Sequence, residues 1–414
     1  MVTLDNQNAT EENTLHPTTN VIINQANFNT YANRTNCIDE LLNNKICMLL
    51  INLGRWFPVV LVFGIVGWAY YAYVFILCLG IIDQLAEKII LLLILHILVI
   101  LFIWSYLATI FTNNGKIPEK FYLPYDVNED VKNATSNDSA KDIVRRYVKL
   151  HKLPIQNRMY DQAFRYCNQC AMVKPDRAHH CSICKQCILK FDHHCPWVNN
   201  CVMFSNYKFF ILFLGYGFIL CSFVALSNLD TMITFIKGVS SNSGHFKSVG
   251  TSFQLVFLEF ISVMFGISLS CLFFFHLYLI SKNRSTLETY KAPAFSFGVD
   301  KNAYNISLKH NFIEVFGRNP LLWFMPVFSS HGNGIVYRTS TLTFGTRFKR
   351  IETESSSDEE INNGVSEDEF SDYENANIAF DINDSDLEIG HTNNHRFITR
   401  SGIQYSSIAQ NDEL

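Results

Sequence analysis

Long apolar runs separate this chain into membrane-type segments and polar segments. Four such runs lie at roughly 56–80, 89–111, 209–229 and 252–280. Each is long enough for a helix to cross the ~30 Å hydrocarbon core of a bilayer, which takes about 20 residues. The first run opens on Trp56-Phe57-Pro58, where proline is tolerated at a helix start. The pattern predicts an α-helical integral membrane protein with four transmembrane helices.

Polar stretches flank and separate these runs. The last 70 residues are acidic and rich in Ser and Asn, and from about 349 there are too few apolar residues to form a core, so we expect disorder there. The predicted division is a polar N-terminal segment at 1–55, helices one and two at 56–111, a linker at 112–163, a cysteine-rich module at 164–208, helices three and four at 209–280, C-terminal motifs at 281–334 and an acidic tail at 335–414.

Charge adds an orientation to this picture. The net charge is only −4, which gives no sign of a nucleic-acid partner. Basic residues are dense across 112–208 and sparse in the loops at 81–88 and 230–251. Because cytosolic loops carry the excess of Lys and Arg, we expect the cysteine-rich module and both termini to be cytosolic.

The cysteine-rich module carries the candidate chemistry. Seven cysteines and four histidines fall between Cys167 and Cys201, and several cysteines occur as Cys-x2-Cys pairs. Such pairs place two thiolates on one turn, a strong signal for zinc. Two tetrahedral zinc ions need eight ligands, which six cysteines and two histidines supply. One cysteine is left over, and the spacing alone does not say which.

The run Asp192-His193-His194-Cys195 makes that surplus thiol chemically interesting. A histidine beside a thiol accepts its proton, and an aspartate beside the histidine fixes the ring. Next to a bilayer, such a nucleophile would act on a lipid-like acyl donor. Two alternatives stay open on the residues alone: a non-catalytic zinc-bound scaffold at a membrane, and a small transporter.

The module resembles a known enzyme family. The motif Lys-Pro-Asp-Arg at 174–177, then His-Cys at 180–181, Asp-His-His-Cys-Pro-Trp-Val-Asn-Asn-Cys at 192–201 and Ser-Asn-Tyr-Lys-Phe-Phe at 205–210 is similar to that of the DHHC protein S-acyltransferases, or palmitoyltransferases. The resemblance covers roughly 50–334 and looks closest to the animal Golgi and plasma-membrane subgroup.

The resemblance implies specific roles. One zinc site would be Cys167, Cys170, His180 and Cys187, and the other Cys181, Cys184, His194 and Cys201. Cys195 would then be the nucleophile, His193 its base and Asp192 the partner of that base. The implied reaction is two-step: Cys195 takes the acyl group from palmitoyl-CoA, and the cysteine of a substrate protein at the membrane surface then accepts it.

Further expectations follow from the same family. Ser285-Thr286-Leu287-Glu288 resembles its Thr-Thr-x-Glu motif and would tie this segment to the catalytic module. Lys174, Arg177 and His179 are weak candidates for contacts to CoA phosphates, set against ordinary module surface. Met203 stands where the family usually has glycine and would be strained if its φ were positive. Partners would be the bilayer, a fatty acyl-CoA and proteins with cysteines near lipid, in the Golgi or plasma membrane, with the endoplasmic reticulum possible.

Overall fold

Four long helices dominate the computed structural model, which describes residues 45–241, 249–340 and two short strands near the C-terminus. Helix α1 spans Lys45–Tyr71 and continues as a π-helical stretch over Ala72–Cys78; the others are α2 Leu85–Phe111, α5 Tyr207–Ser241 and α6 Val249–Ser281. Each contains a stretch long and apolar enough to cross a bilayer. The prediction of four membrane-capable helices is confirmed.

The first helix begins earlier than the sequence suggested. Pro58 lies inside α1 rather than at its start. Proline removes one backbone donor and would kink a water-exposed helix, but membrane helices tolerate it because local adjustment satisfies the freed groups. The segment before residue 45 lies outside the described residues, so the expected polar N-terminal segment is described only over its last part.

The cysteine-rich module is built from three two-stranded antiparallel hairpins. They pair β1 (Tyr166–Cys167) with β2 (Met172–Val173), β3 (His179–Cys181) with β4 (Gln186–Ile188), and β5 (His193–Cys195) with β6 (Asn200–Val202). Two helices of the linker, α3 (Tyr125–Lys132) and α4 (Asn137–Leu150), precede them. The Ser136 hydroxyl caps α4 by accepting from the Ser139 amide.

The linker and the first hairpin share one apolar core. Phe121, Tyr147, Met172 and Leu189 are buried in it. Such small β-hairpins bury too little surface to be stable alone, so this core accounts for only part of their stability. The remainder has to come from bonds within and between the hairpins, as described below.

The segment after α6 folds back over the module. It contains α7 (Thr286–Tyr290), a hairpin of β7 (Ala294–Phe295) and β8 (Gly298–Val299), and α8 (Leu308–Phe316). The buried ammonium of Lys208 at the start of α5 donates to the carbonyl oxygens of Leu322 and Val327 at 2.6 and 2.9 Å. This holds the chain beyond α8 against α5.

The expected start of the acidic tail at 335 lies too early. Ile335 is buried in the core of the cysteine-rich module, and Tyr337 and Thr339 are also buried. These residues pack because they are apolar or find hydrogen-bond partners there. Farther on, the structure describes one antiparallel hairpin, β9 (Arg396–Ile398) with β10 (Gln404–Ser406), in a separate compact unit; the remainder of the tail lies outside the described residues.

Candidate active site

Two groups of four ligand residues come together in the cysteine-rich module. The first is Cys167, Cys170, His180 and Cys187, and the second is Cys181, Cys184, His194 and Cys201; within each, the ligand atoms all lie within 4.8 Å of one another. These are the two sets that the family resemblance implies. Each histidine stands directly opposite a cysteine in its hairpin, His180 opposite Cys187 and His194 opposite Cys201.

Strand geometry explains how neighbouring residues serve different groups. Successive side chains of a strand point to opposite faces. In β3, His180 therefore belongs to the first group while the next residue, Cys181, belongs to the second. The two groups interlock through this strand, which the Cys-x2-Cys spacing alone does not reveal.

The donor chemistry of both groups fits zinc. Each offers three thiols and one imidazole, the set of a closed structural zinc site. Burial, reinforced by neighbouring sulfur atoms, raises the pKa of the Cys187 and Cys201 thiols well above the ordinary value. Thiolates that repel one another in this way need a cation, and a coordinating divalent metal deprotonates thiols outright.

The remaining residues of the motif lie on the other face of β5. His194 turns toward the second ligand group, so its neighbours His193 and Cys195 point the opposite way. Cys195 is 7% exposed and packs in the main apolar cluster, which is formed largely by the transmembrane helices. The surplus thiol is thus placed where the module meets the helix bundle.

Asp192 and His193 form a close pair. His193 Nδ1 lies 2.7 Å from Asp192 Oδ2, and the carboxylate is buried. Burial lowers the pKa of His193, but hydrogen bonding to Asp192 and the contact with the Cys195 sulfur outweigh it and raise the pKa to about 9. A histidine so placed is a stronger base than a free imidazole.

The segment after α6 holds this pair in place. The Thr286 amide donates to Asp192 Oδ1 and the Thr286 hydroxyl to Asp192 Oδ2, both at 2.7 Å. Ser285 and Glu288 complete a capping box at the start of α7. The expected tie between this motif and the catalytic module is made through Thr286.

Contacts from the second helix fix the other side of Cys195. The Tyr106 hydroxyl donates to the Trp197 carbonyl at 2.7 Å, two residues after Cys195. The Asn200 amide donates to the carbonyls of Thr109, Ile110 and Thr112 at 2.9–3.2 Å, satisfying the open end of α2. The Asn200 side chain thus fastens the module to the C-terminal end of α2.

Arg177 does not occupy the position expected of a phosphate contact. It is 2% exposed and binds Glu288 through two parallel hydrogen bonds of 2.7 and 2.8 Å. Its other amino group donates to Asn283 at 2.9 Å, and the rings of Tyr304 and Tyr337 cover its faces. The expected CoA contact is corrected accordingly: the guanidinium is enclosed by protein acceptors and joins the module to α7.

The other two candidates for phosphate contact differ from each other. His179 lies against Arg165 and Phe191, and burial together with the charges of Arg165 and Lys174 lowers its pKa to about 2, so it carries no positive charge at neutral pH. Lys174 is partly exposed. Of the three, Lys174 alone offers a cation with access to solvent.

Several residues outside the two ligand groups and the Asp-His-His-Cys run also join the site. Lys190 lies 2.7 Å from Glu314, which also accepts from Asn283. His276 of α6 packs beside His193, and the hydroxyl of Tyr207 at the start of α5 lies 3.1 Å from His276 Nδ1. Tyr207 belongs to the motif at 205–210 and His276 to an apolar run, but only the fold places them next to the Asp-His-His-Cys run.

Met203 resolves one doubt raised by the sequence. Its φ is not positive, and its side chain is buried with Ile188 and Cys201. The position that usually holds glycine in the family is therefore filled by an ordinary core residue.

Comparison with known proteins gives one consistent result. The family model described as DHHC palmitoyltransferase matches residues 161–293. The chain is 42% identical over 285 residues to palmitoyltransferase ZDHHC2 of Mus musculus, covering 69% of this chain and 75% of the relative. It is 44% identical over 282 residues to palmitoyltransferase ZDHHC15 of Xenopus laevis, covering 68% and 81%.

Proposed function

We propose roles for individual residues on the premise that this chain belongs to the DHHC palmitoyltransferase family. It is accordingly a membrane protein and a protein S-acyltransferase, an enzyme that transfers a fatty acyl group to cysteines of other proteins. The observation that carries these roles is the 2.7 Å contact between Asp192 and His193. The thiol of Cys195 lies on the same side of β5 as His193.

The first step loads the enzyme. The Cys195 thiol gives its proton to His193 Nε2, because Nδ1 is bonded to Asp192. The sulfur then attacks the carbonyl carbon of palmitoyl-CoA, forming a new thioester as the bond to the CoA sulfur breaks. His193 returns the proton to the leaving CoA thiolate, and Asp192 stabilises the imidazolium in between.

The second step transfers the acyl group onward. The thiol of a substrate cysteine gives its proton to His193 and attacks the carbonyl carbon on Cys195. The new thioester forms on the substrate, and the Cys195 thiolate leaves and takes the proton back from His193. The same base serves both steps, so the charge on Asp192 is needed twice.

Zinc ions bound by the two ligand groups would be structural. Bound zinc would supply charge neutralisation and crosslinks between hairpins, because four protein ligands leave no open position for substrate. The ligand groups fix β3 to β4 and β5 to β6, and so hold His193 and Cys195 on a rigid strand. The chemistry itself stays with these two side chains.

The acyl donor would lie across the boundary between module and membrane. Its chain would enter between the four helices, where each buried methylene contributes ~0.8 kcal/mol. Its CoA group would remain on the polar side, where Lys174 is the proposed phosphate contact. Substrates would be proteins whose cysteines lie close to lipid, because Cys195 is at the end of the bundle.

Basic residues support an orientation with the module and both termini in the cytosol. The long segment before α5 is rich in Lys and Arg, whereas the loop at 81–88 carries one lysine. Cytosolic placement also matches the supply of acyl-CoA and reduced thiols. The Golgi or plasma membrane is the proposed compartment, with the endoplasmic reticulum as the alternative.

The test uses the full chain purified in detergent and incubated with labelled palmitoyl-CoA. Wild type is compared with Cys195→Ala, Cys195→Ser and Cys221→Ala, the last being a cysteine of α5 outside both ligand groups. Label that neutral hydroxylamine releases from wild type and Cys221→Ala, and its absence from both Cys195 variants, would support the assignment. Equal labelling of all four proteins would overturn it.

A further inference from the structure

Two polar residues from the transmembrane helices lie against the catalytic base. His276 of α6 is 2% exposed, and its ring centroid is 6.1 Å from that of His193. Its Nδ1 atom lies 3.1 Å from the hydroxyl of Tyr207, the first residue of α5, which is also buried. A histidine at such a position in a membrane helix is costly and marks a functional role by default.

The pair is linked to the catalytic carboxylate from the other direction. Tyr207 and Asp192 both line a cavity of about 10 Å³ between α6 and the module. This is about the size of one water molecule, but the surface that lines the cavity is mostly apolar. Asp192 and Tyr207 thus face the same small space, Tyr207 pairs with His276, and the ring of His276 lies beside that of His193.

Hydrogen bonds to Asp192 and Cys195 act on the edge of the His193 ring, and the tilt of the ring also depends on the rings packed around it. Phe210 contacts the ring edge-on at 5.6 Å, and His276 closes the remaining side. Because the Tyr207 hydroxyl lies within hydrogen-bond distance of His276, the ring beside His193 is tied to both α5 and α6.

We propose that His276 and Tyr207 are positioning residues for His193. They hold its ring so that Nε2 faces the Cys195 thiol, and they do so from within the membrane helices. The inference rests on the proposed roles of Cys195 and His193. A purely structural pair would have been built as well from two apolar side chains, which fill the same space without burying polar atoms.

Conservative variants separate positioning from packing. Tyr207→Phe removes only the hydroxyl, His276→Phe keeps an aromatic ring without Nδ1, and His276→Asn keeps an acceptor near the position of Nδ1. Phe213→Leu is the matched control, since Phe213 lies in the same cluster and contacts Tyr106 and Phe210 but is not paired with His193. Zinc content and melting temperature are recorded for every variant.

The readout is the single-turnover rate of acylation of Cys195 at saturating palmitoyl-CoA. We expect Tyr207→Phe and His276→Phe each to lower this rate about tenfold, the order produced by a small misplacement of a reacting group. The half-saturating palmitoyl-CoA concentration should not change, the double variant should be no slower than either single one, and His276→Asn should recover part of the rate.

Two results would overturn the proposal. One is a wild-type rate in both phenylalanine variants; the other is a change confined to the half-saturating concentration, which would make the pair part of acyl binding. A failure of the proposed function is distinguishable, because acylation would then persist in Cys195→Ala. If Cys195→Ala is inactive and His276→Phe is normal, only the positioning role fails.

Discussion

Thr286 donates two hydrogen bonds to the carboxylate of Asp192, one from its amide and one from its hydroxyl, each 2.7 Å long. The two residues are 94 positions apart in the chain and belong to different segments. Asp192 in turn bonds His193. The Asp192 carboxylate is therefore oriented by a short helix beyond the last transmembrane span, and the cysteine-rich module is incomplete without that helix.

Replacement of Thr286 by valine tests this contact. Thr286→Val removes the hydroxyl bond and keeps the amide bond and the side-chain shape. A hydrogen bond to a charged group contributes ~1.5–3 kcal/mol, so we expect the acylation rate to fall at least about tenfold. Thr289→Val is the control, because that hydroxyl donates to the Ser285 carbonyl in the same helix. An unchanged rate in Thr286→Val would show that the amide alone orients Asp192.

The buried ion pair of Arg177 should dominate the stability of the module. Arg177→Met leaves Glu288 as an unpaired buried charge, and breaking such pairs costs ~3–5 kcal/mol. Arg145→Met removes an exposed pair with Asp142, which contributes at most ~1 kcal/mol. Melting curves in detergent should show a large drop for the first and almost none for the second. Similarly small shifts in the melting temperatures of both variants would mean that the Arg177–Glu288 pair contributes little to stability.

Metal content gives a direct test of the two ligand groups. Cys170→Ala and Cys184→Ala each remove one ligand from a different group. Elemental analysis should find two zinc ions in wild type and one fewer in each variant, with lower melting temperatures because metal binding is linked to folding. Cys221→Ala should keep both ions. Loss of both ions in each single variant would show that the interlocked groups bind zinc as one unit.

Asp176 predicts a pH dependence of stability. Burial raises its pKa to about 6 from an ordinary 3.8, although the amides of Gln156 and Asn157 donate to its carboxylate. Between these values the folded protein keeps a proton that the unfolded chain has released. The stabilisation of the folded state by protonated Asp176 is therefore fully present below pH 3.8 and is lost as the pH rises through about 6.

The comparison that checks this is wild type against Asp176→Asn. A pKa difference of this size corresponds to on the order of 2–3 kcal/mol. The melting temperature of wild type minus that of Asp176→Asn should fall steadily as the pH rises from 3.8 to about 6. Zinc loss at acid pH affects both proteins alike and cancels in the difference. Parallel melting profiles would contradict a raised pKa in the folded state.

The membrane helices and the ligand residues were accessible from sequence because their signals are local. Apolar runs give the helices directly, and the motif around Cys195 identifies the family. The π-helical end of α1 and the internal position of Pro58 were not predicted, since the backbone in lipid accommodates both without a sequence mark.

The supporting contacts were not accessible in the same way. Arg177 and Glu288 are 111 residues apart, and although each belongs to a family motif, no local pattern pairs their two charges. Arg177 was accordingly expected to contact a CoA phosphate. In the structure its side chain is buried and donates two hydrogen bonds to the carboxylate of Glu288. Tyr337 likewise belongs to a stretch assigned to the acidic tail, because no local pattern reveals that it covers Arg177.

The most direct measurement is a mass-spectrometric map of acylation after brief incubation with palmitoyl-CoA. A two-step mechanism predicts one acyl group on the peptide that contains Cys195, formed within a single turnover. That group should disappear when a peptide with an acceptor cysteine is added, with matching acylation of the peptide. Acyl transfer to the peptide without any intermediate on Cys195, or a stable intermediate on another cysteine, would contradict the two-step mechanism.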